Sequence, residues 1–185
     1  MKLFEPLAII LISLTIAVGV IVLLSGGLLA GRDNPGIYGS SGALGVQFRD
    51  LGDRQLAAKV PDPRYDSTPP TSGAHHPAKL EHDATGLSDD QLLQALAAGN
   101  VVFMYGTPRP PSGLRALADS IAAPFSPALA AAGQAVIVAR RPGTTGVLGL
   151  AWTHLVHVRI PADPQLRSFT LFWLGQGAGG HIARG

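Results

Sequence analysis

The sequence predicts a small α/β or α+β domain, with a mixed sheet flanked by helices, behind a single N-terminal transmembrane helix. Three observations predict it. From Pro6 to Gly31 there are 26 residues without a charge, and 18 of them are Ala, Val, Ile or Leu. Two unbroken apolar runs, Val101–Tyr105 and Ala135–Ala139, have the length and β-branched content of buried strands. Between and around them lie amphipathic segments with helix start and stop residues, and such alternation favours layers of helices on a sheet.

The bulk numbers agree. Of 185 residues, 46% are hydrophobic and only 14% charged, the opposite of the balance that keeps a chain disordered. With no cysteine, disulfide scaffolds, thiolate metal sites and a cysteine nucleophile are excluded. A net charge of +2, scattered along the chain, gives no basic face for nucleic acid, and none is expected as a partner.

Residues 1–5 form a short tail and residues 6–30 the membrane helix. Its unbroken part, Leu7 to Leu24, spans about 27 Å, close to the thickness of a hydrocarbon core. A cleavable signal would have a shorter apolar region and a small-residue cleavage site, and Leu28-Leu29-Ala30 is a poor match. Charge does not orient the helix, because Lys2 and the amino terminus oppose Arg32. Residues 31–45 read as a glycine-rich tether, 46–174 as one globular domain and 175–185 as a flexible glycine-rich tail.

Within the domain, Val60–Pro77 holds five prolines and reads as ordered but non-regular. Ser88, with Gln91 three residues on, opens a helix as a capping box; Leu92, Leu93 and Leu96 form its apolar face and Gly99-Asn100 stop it. The strand Val101–Tyr105 follows. A helix over Ser112–Ala123 turns Leu114, Leu117, Ala118 and Ile121 to one side and ends before Pro124. Ser126-Pro127 starts a short helical turn to Ala132, and Ala135–Ala139 is the next strand. After a turn-rich Pro142–Gly149, Leu150–Ile160 reads as one longer strand. Alternation puts Trp152, His154, Val156, Val158 and Ile160 on one face and Thr153, Leu155, His157 and Arg159 on the other. Asp163-Pro164 caps a last helix whose apolar side is Leu166, Phe169, Phe172 and Trp173, ended by Gly175.

Candidate chemistry is sparse. His75, His76 and His82, near Glu81, form the densest set of metal-ligand types, suited to copper or zinc, although adjacent loop histidines tend to diverge. Gly175-Gln-Gly177-Ala-Gly179-Gly180 fits a dinucleotide fingerprint in letters only, since it follows a helix instead of a strand. His154, beside Trp152 and Val156, reads as a hydrogen-bonded core residue. Ser72 and His75 are close in sequence, but no nucleophile elbow and no orienting carboxylate accompany them.

The string Tyr65-Asp-Ser-Thr-Pro69-Pro70-Thr71-Ser72-Gly73-Ala-His75 resembles a loop of the bacterial domain-of-unknown-function 3105 family. The likeness extends to the Leu51-Gly52-Asp53-Arg54-Gln55 stretch, the helix and strand over Leu92–Tyr105, and Ala151-Trp152, covering about Val46 to Trp173. It implies a membrane-anchored chain with its domain outside the cytoplasm. It also implies histidines that this chain lacks. Gln55 stands at one such position, and Gln94-Ala95-Leu96-Ala97-Ala98-Gly99 stands in place of an H-x-L-E-H-G motif. Imidazole-to-amide and imidazole-to-methyl changes remove metal and acid–base chemistry.

The expectation is therefore non-enzymatic: an anchored domain, N-terminus cytoplasmic, that serves as an accessory or docking subunit for other membrane-protein subunits at the lipid bilayer. No catalytic residue and no cofactor are assigned. The alternative is an envelope-side copper or zinc protein using His75, His76 and His82.

Overall fold

The computed structural model describes residues 44–81 and 85–181. The helix expected over residues 6–30, most of the tether, and His82 lie outside the described residues. Among the described residues no helix is long and apolar enough to cross a membrane.

Among the described residues, seven strands and four helices follow in the order β1 (Val46–Gln47), α1 (Asp89–Ala98), β2 (Val101–Tyr105), α2 (Leu114–Ala122), α3 (Pro127–Ala131), β3 (Val136–Arg140), β4 (Val147–Ala151), β5 (His154–Val158), α4 (Pro164–Trp173), β6 (Gln176–Gly177) and β7 (Gly180–His181). The main sheet has the order β1-β5-β4-β2-β3. Only β2 and β3 run parallel, joined through α2 and α3; the other neighbours are antiparallel. The mixed sheet flanked by helices is thus the fold that the sequence predicts.

Helices cover both sheet faces. Phe103, Val138 and Val156 pack with Leu114 of α2 and with Leu166 and Phe169 of α4. Met104, Ile137 and Leu150 pack on the other face with Leu92, Leu93 and Leu96 of α1 and with Ala130 of α3. All five residues of β2 are buried, because a central strand with helices on both faces has no polar side; hence its unbroken apolar run.

Local signals placed the helices well. Ser88 accepts from the Gln91 N–H while the Gln91 side chain takes the Ser88 N–H, a complete capping box, and Gly99 ends α1 with φ of 106°. Ser126 and Asp163 cap α3 and α4, each followed by proline at the first helical position.

Three regions differ from the sequence reading. The expected strand Leu150–Ile160 is two strands: Ala151 pairs with His154, so Trp152 and Thr153 make a two-residue loop. Gly149, read as turn, lies inside β4. The loop carries no Asn-Gly or Asp-Gly signal, and a β-branched residue, Thr153, takes its left-handed position with φ of 61°. Tertiary bonds hold it there. Its N–H donates to the Thr71 carbonyl at 2.9 Å, and its own carbonyl accepts from the Phe48 N–H at 2.7 Å. Second, Phe172 is 46% exposed and lies off the buried side of α4. Third, the expected loose tail pairs as β6–β7 over residues 176–181. The hairpin lies on the end of α1, with Gly175 N–H donating to Gly99 O at 2.8 Å and Ala178 N–H to Ala97 O at 3.0 Å.

His154 is a core residue, as its neighbours implied. It is buried, stacks on Trp173 with ring centroids 3.7 Å apart, and donates from Nδ1–H to the Trp152 carbonyl at 3.0 Å. Burial pushes its pKa below the ordinary 6.5, partly offset by the bond to Trp152. The unfolded chain then binds the proton more readily than the fold does. The contribution is present above the unfolded value and is lost as pH falls through it toward the folded pKa. The thermal midpoint is expected to drop more steeply between about pH 7 and pH 5 in the native chain than in His154→Gln. Parallel melting profiles for the two proteins would remove this role for His154.

Candidate functional site

The proline-rich loop folds back over the sheet and meets α1. Gly73 sits at φ of 135°, and a Cβ there would lie 2.8 Å from the Tyr65 ring, so the loop closes tightly only around glycine. Tyr65 donates from its hydroxyl to the Ala74 carbonyl at 3.0 Å. Burial, and after it the charges of Asp62, Asp90 and Asp89, push the Tyr65 phenol up to about 12. The loop continues as a short parallel bridge between Gln55 and His75, with Leu56 N–H donating to His75 O at 2.8 Å and His75 N–H to Arg54 O at 3.1 Å.

This bridge gathers residues far apart in sequence. The Gln55 side chain donates to the Gln94 side-chain carbonyl at 3.1 Å, across 39 residues. Gln55 and Gln94, two of the positions where the resemblance implies histidine, therefore touch, and His75 is the ladder partner of one of them. Ala98 is one helical turn beyond Gln94 on the same side of α1.

The residues present do not fit a metal or an acid–base pair at that place. Two amides bonded to each other stand where the resemblance implies imidazoles, and the methyl groups of Ala97 and Ala98 offer no donor atom. His75 is fully buried; its Nδ1–H donates to Gly73 O at 2.9 Å, and its Nε2 has no polar partner. Among the described residues His75 joins no group of three metal-ligating side chains. His76 turns the other way, toward Asp62 and Asp90, so the three-histidine set read from the sequence is not assembled from its two described members.

Ser72 is fully buried and its hydroxyl is committed to backbone. It donates to Arg49 O at 2.9 Å and accepts from Leu51 N–H at 3.1 Å. That makes it a splint between the loop and the chain leaving β1. A groove of about 530 Å³ runs past Phe48, Tyr65, Leu148, Leu155 and His157. His157 is its only imidazole among those lining residues, and its Nε2–H is spent on Thr145 O at 2.7 Å.

Sequence reasoning missed Asp62 and Asp90. One sits between two prolines and the other in the first turn of a helix, where an acidic residue is ordinary. No spacing rule joins them to His76.

A helix-covered mixed sheet, with a Pro-Pro-Thr-Ser-Gly-Ala-His loop bonded across to α1, defines a small α/β domain whose polar loop residues largely serve the backbone. The chain belongs to the family described as protein of unknown function (DUF3105), which matches residues 60–177. No curated protein and no solved structure matches it.

Proposed function

We propose that this chain is a non-enzymatic, single-pass membrane protein whose domain, on the periplasmic or extracellular side, docks onto another membrane protein as an accessory subunit. The observation that carries this reading is an apolar rim where the domain meets its tether. Leu44, Leu171 and Phe172 are 41%, 50% and 46% exposed. Leu44 and Phe172 meet at Trp173, whose indole N–H donates to Leu44 O at 2.9 Å and whose ring meets Phe172 edge-on at 4.8 Å, and Leu171 precedes Phe172 in the last turn of α4.

The chain runs back from Leu44 toward the apolar span of residues 6–30. A tether of residues 31–43 can reach about 45 Å at full extension. Partners confined to the same membrane then meet the rim at high effective concentration. The last turn of α4 has no basic residue, so attraction to anionic lipid does not favour the bilayer itself as the occupant. The amide pair of Gln55 and Gln94 supports the non-catalytic part of the reading, and the placement outside the cytoplasm follows the layout that the family resemblance implies.

A photo-crosslinking residue at position 172 of the full chain, in native membranes, tests it. The expected result is one discrete adduct with a second membrane protein, lost when Leu171 is changed to Asp. The same probe at position 109 should give no such adduct. Gly175 bonds to Gly99, two residues before β2 begins, whereas Arg109 follows that strand's far end. Adducts with lipid or with a second copy alone, or the same adducts from both positions, would sink the proposal.

A further inference from the structure

The geometry points to a divalent-cation site, suited to zinc, formed by His76 Nδ1 and the carboxylates of Asp62 and Asp90. It is independent of the docking rim and shares only His76 with the histidine set read from the sequence.

The three groups come from three segments. Asp62 stands in the loop between Pro61 and Pro63, His76 follows the Gln55–His75 bridge, and Asp90 is in the first turn of α1. Their ligand atoms all lie within 4.8 Å of one another. His76 Nδ1 is 3.3 Å from Asp62 Oδ1 and 3.4 Å from Asp90 Oδ1. Both separations exceed the usual length of a charge-assisted hydrogen bond, about 2.7–2.9 Å. They match the edge of a tetrahedron whose metal–ligand bonds are about 2.0–2.1 Å, which is about 3.3–3.4 Å. One imidazole nitrogen with two carboxylates is a zinc-type donor set, and three protein ligands leave a fourth position for water.

The surroundings hold the ligands in place. The His76 backbone N–H donates to Asp90 Oδ1 at 2.8 Å, which fixes that carboxylate beside the ring. Pro77 follows His76 and stiffens its far side. The neighbouring carboxylate, Asp89, is satisfied separately by Arg141 at 2.7 Å. Two negative charges therefore face one imidazole, and a neutral ring leaves the site at −2, a charge that a divalent cation cancels. The positive N-terminal end of α1 beside Asp90 opposes the cation, by an effect that fades within the first turn.

The competing arrangement is a protonated His76 paired with both aspartates and no metal, and titration separates the two. The purified full chain, stripped with chelator, is titrated with zinc chloride by calorimetry, with melting curves recorded alongside. About one zinc per chain is expected, with a raised thermal midpoint. The side chains of Asp62 and His76 are 52% and 27% exposed, so Asp62→Asn and His76→Gln should keep the fold, as circular dichroism will show. Each should weaken zinc by at least about tenfold. No saturable binding, or binding that survives both substitutions, overturns the site and leaves the His76–aspartate ion pair.

Discussion

Phe169→Ala is expected to destabilise the domain by about 3–5 kcal/mol, much or all of the margin of a domain this size. Phe169 is fully buried at the centre of α4 and packs with Val156 and Leu166. Its ring also fills the space over two glycines. A Cβ on Gly45, just before β1, would lie 2.8 Å from it, and a Cβ on Gly149 of β4 would lie 3.3 Å from it and 2.9 Å from Leu166, so both segments approach α4 closely at these side chains. Truncation would leave a cavity lined by backbone and by groups already closely packed, and such sites collapse poorly. Phe172, three residues on, should behave differently. It is 46% exposed, and Phe172→Ala should cost less than about 1 kcal/mol. Urea unfolding of the two variants checks both values. Equal losses would mean that the face of α4 assigned to the rim belongs to the core.

Asn100→Ala is expected to cost about 2–4 kcal/mol, by a different route. Asn100 is 1% exposed, directly after the glycine that ends α1. Its side-chain amide donates to Ala95 O at 3.0 Å and Ala130 O at 2.8 Å, and its carbonyl accepts from Ala135 N–H at 2.9 Å. One side chain thus joins α1, α3 and the start of β3. The carbonyls of Ala95 and Ala130 keep other backbone donors after truncation. The Ala135 N–H loses the Asn100 oxygen while buried, and an orphaned donor of that kind costs about 1–3 kcal/mol before any cavity is counted. A loss below about 1 kcal/mol in urea unfolding would show that the site rearranges or admits water.

Most of the regular elements were legible because their signals are local. Ser88 with Gln91, Ser126-Pro127 and Asp163-Pro164 satisfy helix ends with atoms only a few residues away, so the pattern survives without knowledge of the fold. The run Val101–Tyr105 was legible for a related reason: a central strand is apolar throughout wherever its partners come from. The β4–β5 hairpin was not. Its turn uses Trp152 and Thr153, and Thr153 is held at positive φ by Thr71 and Phe48, one 82 residues and the other 105 residues earlier in the chain. The glycines after Gly175 announced freedom, yet the segment pairs as a hairpin and is held to α1 by the backbone N–H groups of Gly175 and Ala178 on Gly99 and Ala97.

The candidate site divides in the same way. The resemblance marked Gln55, His75 and Gln94 as related positions, but that two of them share a hydrogen bond and two share a bridge is a fact of folding. His75 and His76, neighbours in sequence, part company: one is buried with its Nδ1 on Gly73, and the other faces Asp62 and Asp90. Extended backbone sends successive side chains to opposite sides, so adjacency argued against a shared metal. Sequence by itself determined the fold class, the helix limits, the central strand and the absence of thiol chemistry, since each depends on periodicity, capping or inventory. Only the tertiary structure decided which polar side chains meet, because bonds across tens of residues depend on how the layers pack.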